Sequence, residues 1–500
     1  MVPTAMLGLT LVVMLLFFFS RHRRRRSSSR SSPLDAVLFR WPTGDPFTIR
    51  DLLNGGVAIL GRVGSGKTSS SGKLLGTQIV RNAKSGGLIL VAKPEDLAMW
   101  KAIFHAAGRD RELWIFSPRE RLRFNLLNFI MNEDGQTRSI TDCIRIIGEC
   151  LGSHEAKGSS SQDPFWEQQQ DRMLYYAVEI VKLATGSVSA PALQAFINGA
   201  AQTPEDLENA QWKHGPHCQL LRAAHEAAST ELQKHDCAQA VDYWLGEYPR
   251  MADRTRSSVL AGVMGLLAVF NTGLVKELLS GESNVSPNDM FEGKWIIVDM
   301  SPSVWGSSGK LVCSAWKYAT QWSVLRRTAA AEDVFNVIWV DEAQQLVSSY
   351  DAHYIAQCRS HLGCLVYLSQ SLPGYYANFG GEAREHRAQA LLANFTHTIL
   401  HAVDPVTAEW AAKKLGQRRE TMFGGSSGPG GDVFDDLFGQ PRLTGSFSEQ
   451  YTPVLQENVL INGLRTGGIA NDLACDAIVI RSGEPFSNGE NWLRCTFLQE

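Results

Sequence analysis

Eight consecutive residues, Gly61-Arg62-Val63-Gly64-Ser65-Gly66-Lys67-Thr68, space glycines, a lysine and a hydroxyl in a way that suits phosphate groups. They match G-x-x-x-x-G-K-[ST] at every fixed position. Glycines let backbone N–H groups wrap phosphate oxygens; the lysine reaches the β- and γ-phosphates, and the Thr68 hydroxyl binds Mg²⁺. The apolar run Val57-Ala58-Ile59-Leu60 before the loop reads as a short strand. Ser69 to Val80 after it reads as a helix whose N-terminus faces the phosphates. Strand before and helix after make Gly61 to Ser69 a nucleotide-binding loop, with ATP and Mg²⁺ as the expected cofactors.

Hydrolysis on such a loop needs an acid at a strand end to hold Mg²⁺, and often a second carboxylate to polarise water. Val337-Ile338-Trp339-Val340-Asp341-Glu342 meets both needs. Asp341 is the expected metal carboxylate, with Thr68, and Glu342 the expected catalytic base. Trp295-Ile296-Ile297-Val298-Asp299 is also strand then acid but lacks the second carboxylate, so Asp299 is read as an ordinary strand-end acid. The strand Cys364 to Leu368 ends in Ser369-Gln370-Ser371, which makes Gln370 a candidate to touch the γ-phosphate or the water. In ring ATPases an arginine from one subunit stabilises the transition state in the next. Arg359, just before this strand, is the candidate for that role.

These residues need a scaffold of strands that end together. Gly87 to Ala92 reads as a second strand and Leu113 to Phe116 as a third, in a strand–helix alternation that gives a parallel sheet. Lys67 and Asp341 are 274 residues apart, more than a few strand–helix units require. The excess, between Asn128 and Glu292, has few strand-like runs. Phe165-Trp166, Met173-Leu174, Ala177 and Ile180-Val181 recur at helical spacing. An all-α insertion of roughly 140–160 residues follows, within the usual size of a domain. Gly152 to Gln162 is polar and Ser-rich and reads as a mobile loop. His214, His217 and Cys218 lie close together without further metal-ligand spacing. Beyond Gln370, Asn394 to His401 reads as a strand, Val406 to Leu415 as a helix, and Gln417 to Ser448 as a long exposed loop. Asp476 to Ile480 and Trp492 to Phe497 read as a closing pair of strands.

Composition bounds the rest. The chain has 500 residues, 44% hydrophobic and 20% charged, which excludes disordered, collagen-like and disulfide-scaffold classes. Residues 1–32 hold six arginines and no acid; residues 33–500 hold 42 basic and 51 acidic side chains, a net charge of −9. Nucleic acid therefore has to meet a local basic stripe or pore, not bulk charge. No two of the nine cysteines have C-x-x-C spacing, so they read as reduced, mostly buried thiols. Residues 1–20 carry no charged side chain, and Arg21 and Arg23 to Arg26 follow at once. A signal peptide places its charge before the apolar run, whereas here it comes after. Twenty helical residues span about 30 Å, so the expectation is a single-pass membrane anchor with residues 33–500 in the cytoplasm. The expected partition is 1–20 anchor, 21–35 basic and Ser-rich tether, 36–128 first part of the nucleotide-binding domain, 129–291 insertion, and 292–500 second part.

The arrangement resembles the type IV secretion coupling proteins, the TraG/TraD conjugation ATPases of the wider FtsK/HerA superfamily. GRVGSGKT and VIWVDEAQ resemble that family's Walker A and Walker B boxes. Asp163-Pro164-Phe165-Trp166 resembles the motif that opens a helix of its all-α domain. Arg123-Phe124-Asn125-Leu126-Leu127 is similar to its F-N-P-L run with leucine for proline. Arg359 through Gln370, with one residue more than the family spacing, and Asp404-Pro405-Val406-Thr407-Ala408 with Leu415-Gly416 are similar to its later elements. The chain departs from the family in showing one apolar N-terminal segment where two are usual, and Lys93-Pro94-Glu95-Asp96 where a D-P-K-G-like box is expected. The resemblance implies an α/β, RecA-like P-loop domain with an inserted all-α domain and an N-terminal transmembrane helix. It implies a hexameric inner-membrane ATPase that receives relaxase-bound, single-stranded DNA and passes it to type IV secretion channel proteins. The alternatives are a coupling ATPase that recruits protein effectors, and a HerA/FtsK-like pump for duplex DNA.

Overall fold

The computed structural model describes residues 32–152, 164–428 and 442–499. The expected membrane anchor, most of the tether and the Ser-rich loop lie outside them. Among the described residues no single helix is long and apolar enough to cross a membrane.

An N-terminal hairpin, β1 (Val37–Arg40) and β2 (Pro46–Thr48), leads through the short helix Ile49–Leu53 into the main sheet. That sheet contains β3 (Val57–Leu60), β4 (Ser85–Leu90), β5 (Leu113–Phe116), β6 (Trp295–Val298), β7 (Phe335–Val340), β8 (Gly363–Ser369) and β9 (His397–Leu400). A separate ribbon follows, β10 (Gln417–Gly428) and β11 (Arg442–Pro453), and then β12 (Ala474–Arg481) and β13 (Trp492–Leu498) close the sheet. The nine strands run in the order β13-β12-β9-β3-β8-β7-β4-β6-β5. All pairings from β9 across to β5 are parallel, and β12 and β13 add antiparallel at the β9 edge.

The central strands are buried throughout and mostly apolar, because both faces of the sheet are covered. Alternate residues point to opposite faces. Ile59, Ile89, Ile297, Trp339 and Leu368 pack on one side, with the helices Lys73–Arg81 and Pro94–Ala106 and the N-terminal hairpin. Leu60, Leu90, Val298, Val340 and Tyr367 pack on the other side, in one continuous apolar cluster with the helix Pro302–Arg326 and the segment between β5 and β6. Every described element of that segment is helical. Met173, Leu174, Ala177, Ile180 and Val181 are all buried, while Phe165 is exposed.

Leu311 to Val324 are buried on all sides, because their helix lies between the sheet and the helical segment that follows β5. One of its lysines, Lys317, has a buried carboxylate partner. Lys317 Nζ lies 2.7 Å from Asp351 Oδ2. Gln321 donates to the other oxygen of Asp351 at 2.8 Å, and the Ser348 N–H donates to Oδ2 at 2.9 Å. Lys317 also donates to the Leu346 carbonyl. All nine cysteines are free and buried. His217 is buried, stacked on Phe196, with Nδ1 2.8 Å from the Phe196 carbonyl oxygen. Among the described residues no group of three or more His, Cys, Asp or Glu is arranged to hold a metal ion.

One sequence expectation fails. Gln417 to Ser448 is not a long loop: its described residues belong to a two-stranded ribbon of twelve directly opposed pairs, Gln417↔Pro453 to Gly428↔Arg442. The ribbon's strands pair only with each other, and its described side chains are mostly exposed. It therefore needs no apolar run, and its Gly, Ser, Thr and charged content reads locally as loop. The first hairpin also escaped the sequence reading, although its Phe47 is buried edge-on against His397 of β9.

Candidate nucleotide site

Parallel strands present their carboxyl ends to one edge of the sheet, where ligands of open α/β folds bind. The loop Gly61–Thr68 leaves β3 at that edge, Asp341 and Glu342 end β7, and Gln370 ends β8. β8 lies between β3 and β7, so its tip falls between the loop and the two acids. Loops separated by hundreds of residues converge for that reason alone.

The loop is tied to its neighbours on both sides. Gly61 N–H donates to the Ser369 carbonyl at 3.1 Å, and Arg62 N–H to the Ala402 carbonyl at 2.8 Å. Gly64 and Gly66 have φ of 75° and 86°, in the left-handed region that favours glycine. A Cβ on Gly66 would also run into Cys475 Sγ. Arg62, Val63 and Gly64 are exposed at the crest of the loop, and Ser65 and Lys67 are buried beneath it. The helix after the loop opens with a wide turn, Thr68–Gly72, in which Gly72 N–H donates to the Lys67 carbonyl at 2.9 Å. The Ser70 hydroxyl takes the Gly66 carbonyl at 2.7 Å. Behind the loop, Ser71 Oγ sits 2.7 Å from His401 Nε2. Burial pushes His401 down to about 4, so its imidazole is neutral at physiological pH.

The chemistry-bearing side chains meet. Lys67 Nζ lies 3.5 Å from Glu342 Oε1, with both side chains about nine-tenths buried. Thr68 Oγ1 donates to Asp341 Oδ2 at 3.3 Å. Gln370 Nε2 donates to Glu342 Oε2 at 2.9 Å, and Gln344 Nε2 donates to the same oxygen at 2.5 Å. Two amides therefore fix the Glu342 carboxylate and leave Oε1 turned to Lys67. Glu342 has φ 49° and ψ 44°, a left-handed conformation that costs a non-glycine residue about 1–3 kcal/mol. Its N–H donates to Asp341 Oδ1 at 2.8 Å, which locks this turn. Burial raises the Asp341 carboxyl to about 6, the charges of Asp96 and Glu342 add to the rise, and Lys67 opposes it. A buried carboxylate crowded by other carboxylates has an unmet need for a cation, and Thr68 adds a hydroxyl oxygen beside it. This donor set fits Mg²⁺, which favours oxygen ligands.

Three further placements matter. Asp299 ends β6, two strands away from β7, where its N–H bonds the Phe116 carbonyl; it is not part of this group. Arg359 precedes β8 and so lies at the opposite edge of the sheet, where it donates to Asn54 at 3.1 Å. The structure does not bring Arg359 to the site of its own chain. Asp96, Gln344 and His401 are the residues that sequence reasoning missed. Asp96 lies in the first turn of the helix Pro94–Ala106 that follows β4, while His401 stands at the tip of β9, where a polar residue is the same signal that singled out Gln370. The Asn125 side chain accepts from Asn128 N–H at 3.1 Å and caps the helix Leu126–Asp134, so the leucine that stands where the resembled family has proline is the first helical residue.

The fold and site define an α/β P-loop nucleotide-binding protein with a helical segment between its third and fourth sheet strands by chain order. No family model and no curated protein matches the sequence. Solved structures do match in fold. The bacterial conjugative coupling protein TrwBdeltaN70, in an unbound form, superposes with a TM-score of 0.59 over 95% of this chain and 90% of that one, at 16% identity. The plasmid coupling protein TrwB with the non-hydrolysable ATP analogue ADPNP gives 0.55 over 95% and 91%, at 15% identity. TrwB with ADP and Mg²⁺ gives 0.53 over 94% and 90%, at 16% identity. The chain thus has the fold of a conjugative coupling protein over nearly its whole length.

Proposed function

We propose that this chain is a type IV secretion coupling ATPase that uses ATP hydrolysis to move DNA toward a secretion channel. The observation that carries the reading is the convergence of Lys67, Thr68, Asp341, Glu342 and Gln370 at one sheet edge. The nucleotide and Mg²⁺ bound by TrwB support the same ligands here. Bound Mg²⁺ neutralises charge on the β- and γ-phosphates. Backbone N–H groups of Gly61 to Ser69 cradle the phosphates, and Lys67 leaves Glu342 to pair with them. Thr68 and Asp341 hold the metal. Glu342 Oε1, freed from Lys67, takes the proton of the attacking water, and Gln370 and Gln344 keep that carboxylate aimed.

The finer reading follows from the family resemblance and the fold likeness together. Residues 1–20 anchor the chain in the inner membrane, the body lies in the cytoplasm, and six copies form a ring. Arg359 reaches the site of a neighbouring copy in that ring. The substrate is relaxase-bound single-stranded DNA, held through phosphate contacts with little sequence preference.

The test is ATP turnover by the full chain in lipid nanodiscs, with and without single-stranded and duplex DNA, beside Lys67→Ala and Glu342→Gln. Turnover raised by single-stranded DNA, lowered by salt and lost in both variants is the expected result. Turnover indifferent to DNA but raised by a secreted protein moves the reading to effector recruitment. No turnover by an assembled ring with DNA overturns the motor.

A further inference from the structure

The site described so far accounts for the phosphate end of a nucleotide. Its sugar and base need a place, and the sheet order says on which side. Asp341, Glu342 and Gln370 stand on the β8–β7 side of β3, so the γ-phosphate end points that way. The other side of β3 is β9, followed by β12 and β13. β12 is antiparallel, so its beginning, not its end, reaches the loop edge.

What stands there is the segment Gly467–Leu473 and the end of β13. Cβ atoms built on Gly66 and on Gly467 would both collide with Cys475 Sγ, so this segment abuts the phosphate loop. Gln499 ties the two together. Its Nε2 donates to Ser69 Oγ at 2.7 Å, its Oε1 accepts from Gly468 N–H at 2.7 Å, and its own N–H donates to the Leu473 carbonyl at 2.8 Å. The segment is fixed in shape. Gly468 N–H faces Gln499, while the Gly468 carbonyl accepts from Asn471 and Leu473 N–H groups, each at 3.0 Å. Asn471 Nδ2 donates to the Gly467 carbonyl at 2.9 Å. Asp472 and Leu473 both have positive φ, 53° and 56°. Arg465 grips Asp476 through two nitrogens, at 3.0 and 2.8 Å, and anchors the entry to the segment.

A rigid loop held against a phosphate cradle presents apolar surface. Ile469 is 91% exposed and Leu473 is 45% exposed. Among the described residues no packing contact accounts for an isoleucine that exposed on a fixed loop. A purine ring has an apolar face of matching kind, and covering it removes both surfaces from water.

We propose that Gly467–Leu473 with Gln499 forms the nucleoside subsite, in which Ile469 packs on the face of the base. This rests on the reading that Gly61–Ser69 holds a nucleotide. Contact with a ring face does not depend on the edge groups that distinguish bases. The subsite therefore accepts adenine and guanine with similar affinity.

The experiment measures binding of ADP, GDP and inorganic tripolyphosphate, each with Mg²⁺, to the full chain and to Ile469→Asp, Ile469→Ala and Lys67→Ala. Ile469 is too exposed for either change to threaten folding. The expected result is that Ile469→Asp weakens ADP and GDP at least ten-fold, Ile469→Ala weakens them less, and tripolyphosphate changes less than two-fold. Equal loss of tripolyphosphate and nucleotides in Ile469→Asp overturns the subsite, because the loop then acts only on the phosphate cradle. Unchanged binding of all three ligands also overturns it and places the base elsewhere. Wild-type protein that binds none of them, or that binds them as well after Lys67→Ala, overturns the nucleotide reading itself.

Discussion

Replacing Asp341 by asparagine is expected to stabilise the protein while destroying its chemistry. The carboxyl is 9% exposed and is raised from 3.8 to about 6, first by burial and then by the charges of Asp96 and Glu342. A carboxyl raised in the folded state favours folding when protonated and opposes it when charged. Moving the carboxyl from 3.8 to about 6, at about 1.4 kcal/mol per tenfold change in proton affinity, means that the charged form costs the nucleotide-free fold ~3 kcal/mol above pH 6. Asparagine keeps the oxygen that accepts from Glu342 N–H, and its Nδ2 can donate to Thr68 Oγ1, so little else changes. In a chain of this length that unfolds as one unit, ~3 kcal/mol is about 3 °C in Tm. The assay is thermal unfolding of both proteins without nucleotide at pH 7.5 and at pH 4.5. The gain of the variant is expected in full at pH 7.5 and is expected to shrink as pH falls through the window from about 6 to 3.8, where wild-type Asp341 takes up its proton. Saturating ADP with Mg²⁺ reverses the order, because only the wild type gains from the metal-bound ligand. A variant that is no more stable than wild type at pH 7.5 without nucleotide refutes the argument, as does a gain that persists undiminished at pH 4.5.

Gln370→Ala removes one of the two amides that aim Glu342, and turnover should fall by about 10²-fold, with nucleotide affinity nearly unchanged in an equilibrium titration. Lys317→Met leaves Asp351 charged and unpaired in the core, which should cost ~3–5 kcal/mol in urea unfolding; adding Asp351→Leu should restore most of it. The nine cysteines are all buried, and burial pushes Cys313, Cys358 and Cys495 up to about 12. A thiol reagent should therefore label them slowly in the native protein, and all nine within the dead time in denaturant.

Much of the site was legible because its signals are local. The phosphate loop is contiguous, and its glycines and lysine have to be neighbours for one backbone turn to wrap a phosphate. Asp341 and Glu342 announced themselves as acids at the end of an apolar strand, and Gln370 as a polar residue at the tip of the next. Val57 to Leu60 was placed to the residue, because a strand buried on both faces is an uninterrupted apolar run. The ribbon was not legible, because a strand pair exposed on both faces carries no such run.

Other parts depended on distance through the fold. Asp96 acts on Asp341 because β4 lies next to β7, a neighbour relation that no spacing encodes. Arg359 lies eleven residues before Gln370 in the chain, yet the length of β8 puts it at the far edge of the sheet. Gln499 reaches Ser69 only because β12 runs antiparallel to β9 and β13, antiparallel in turn, ends back at the loop. Local chemistry, set by residues that must be adjacent to work, was determined by the sequence alone. Which distant residues gather round that chemistry was decided by strand order and direction, since these are properties of the packed sheet and not of any one segment.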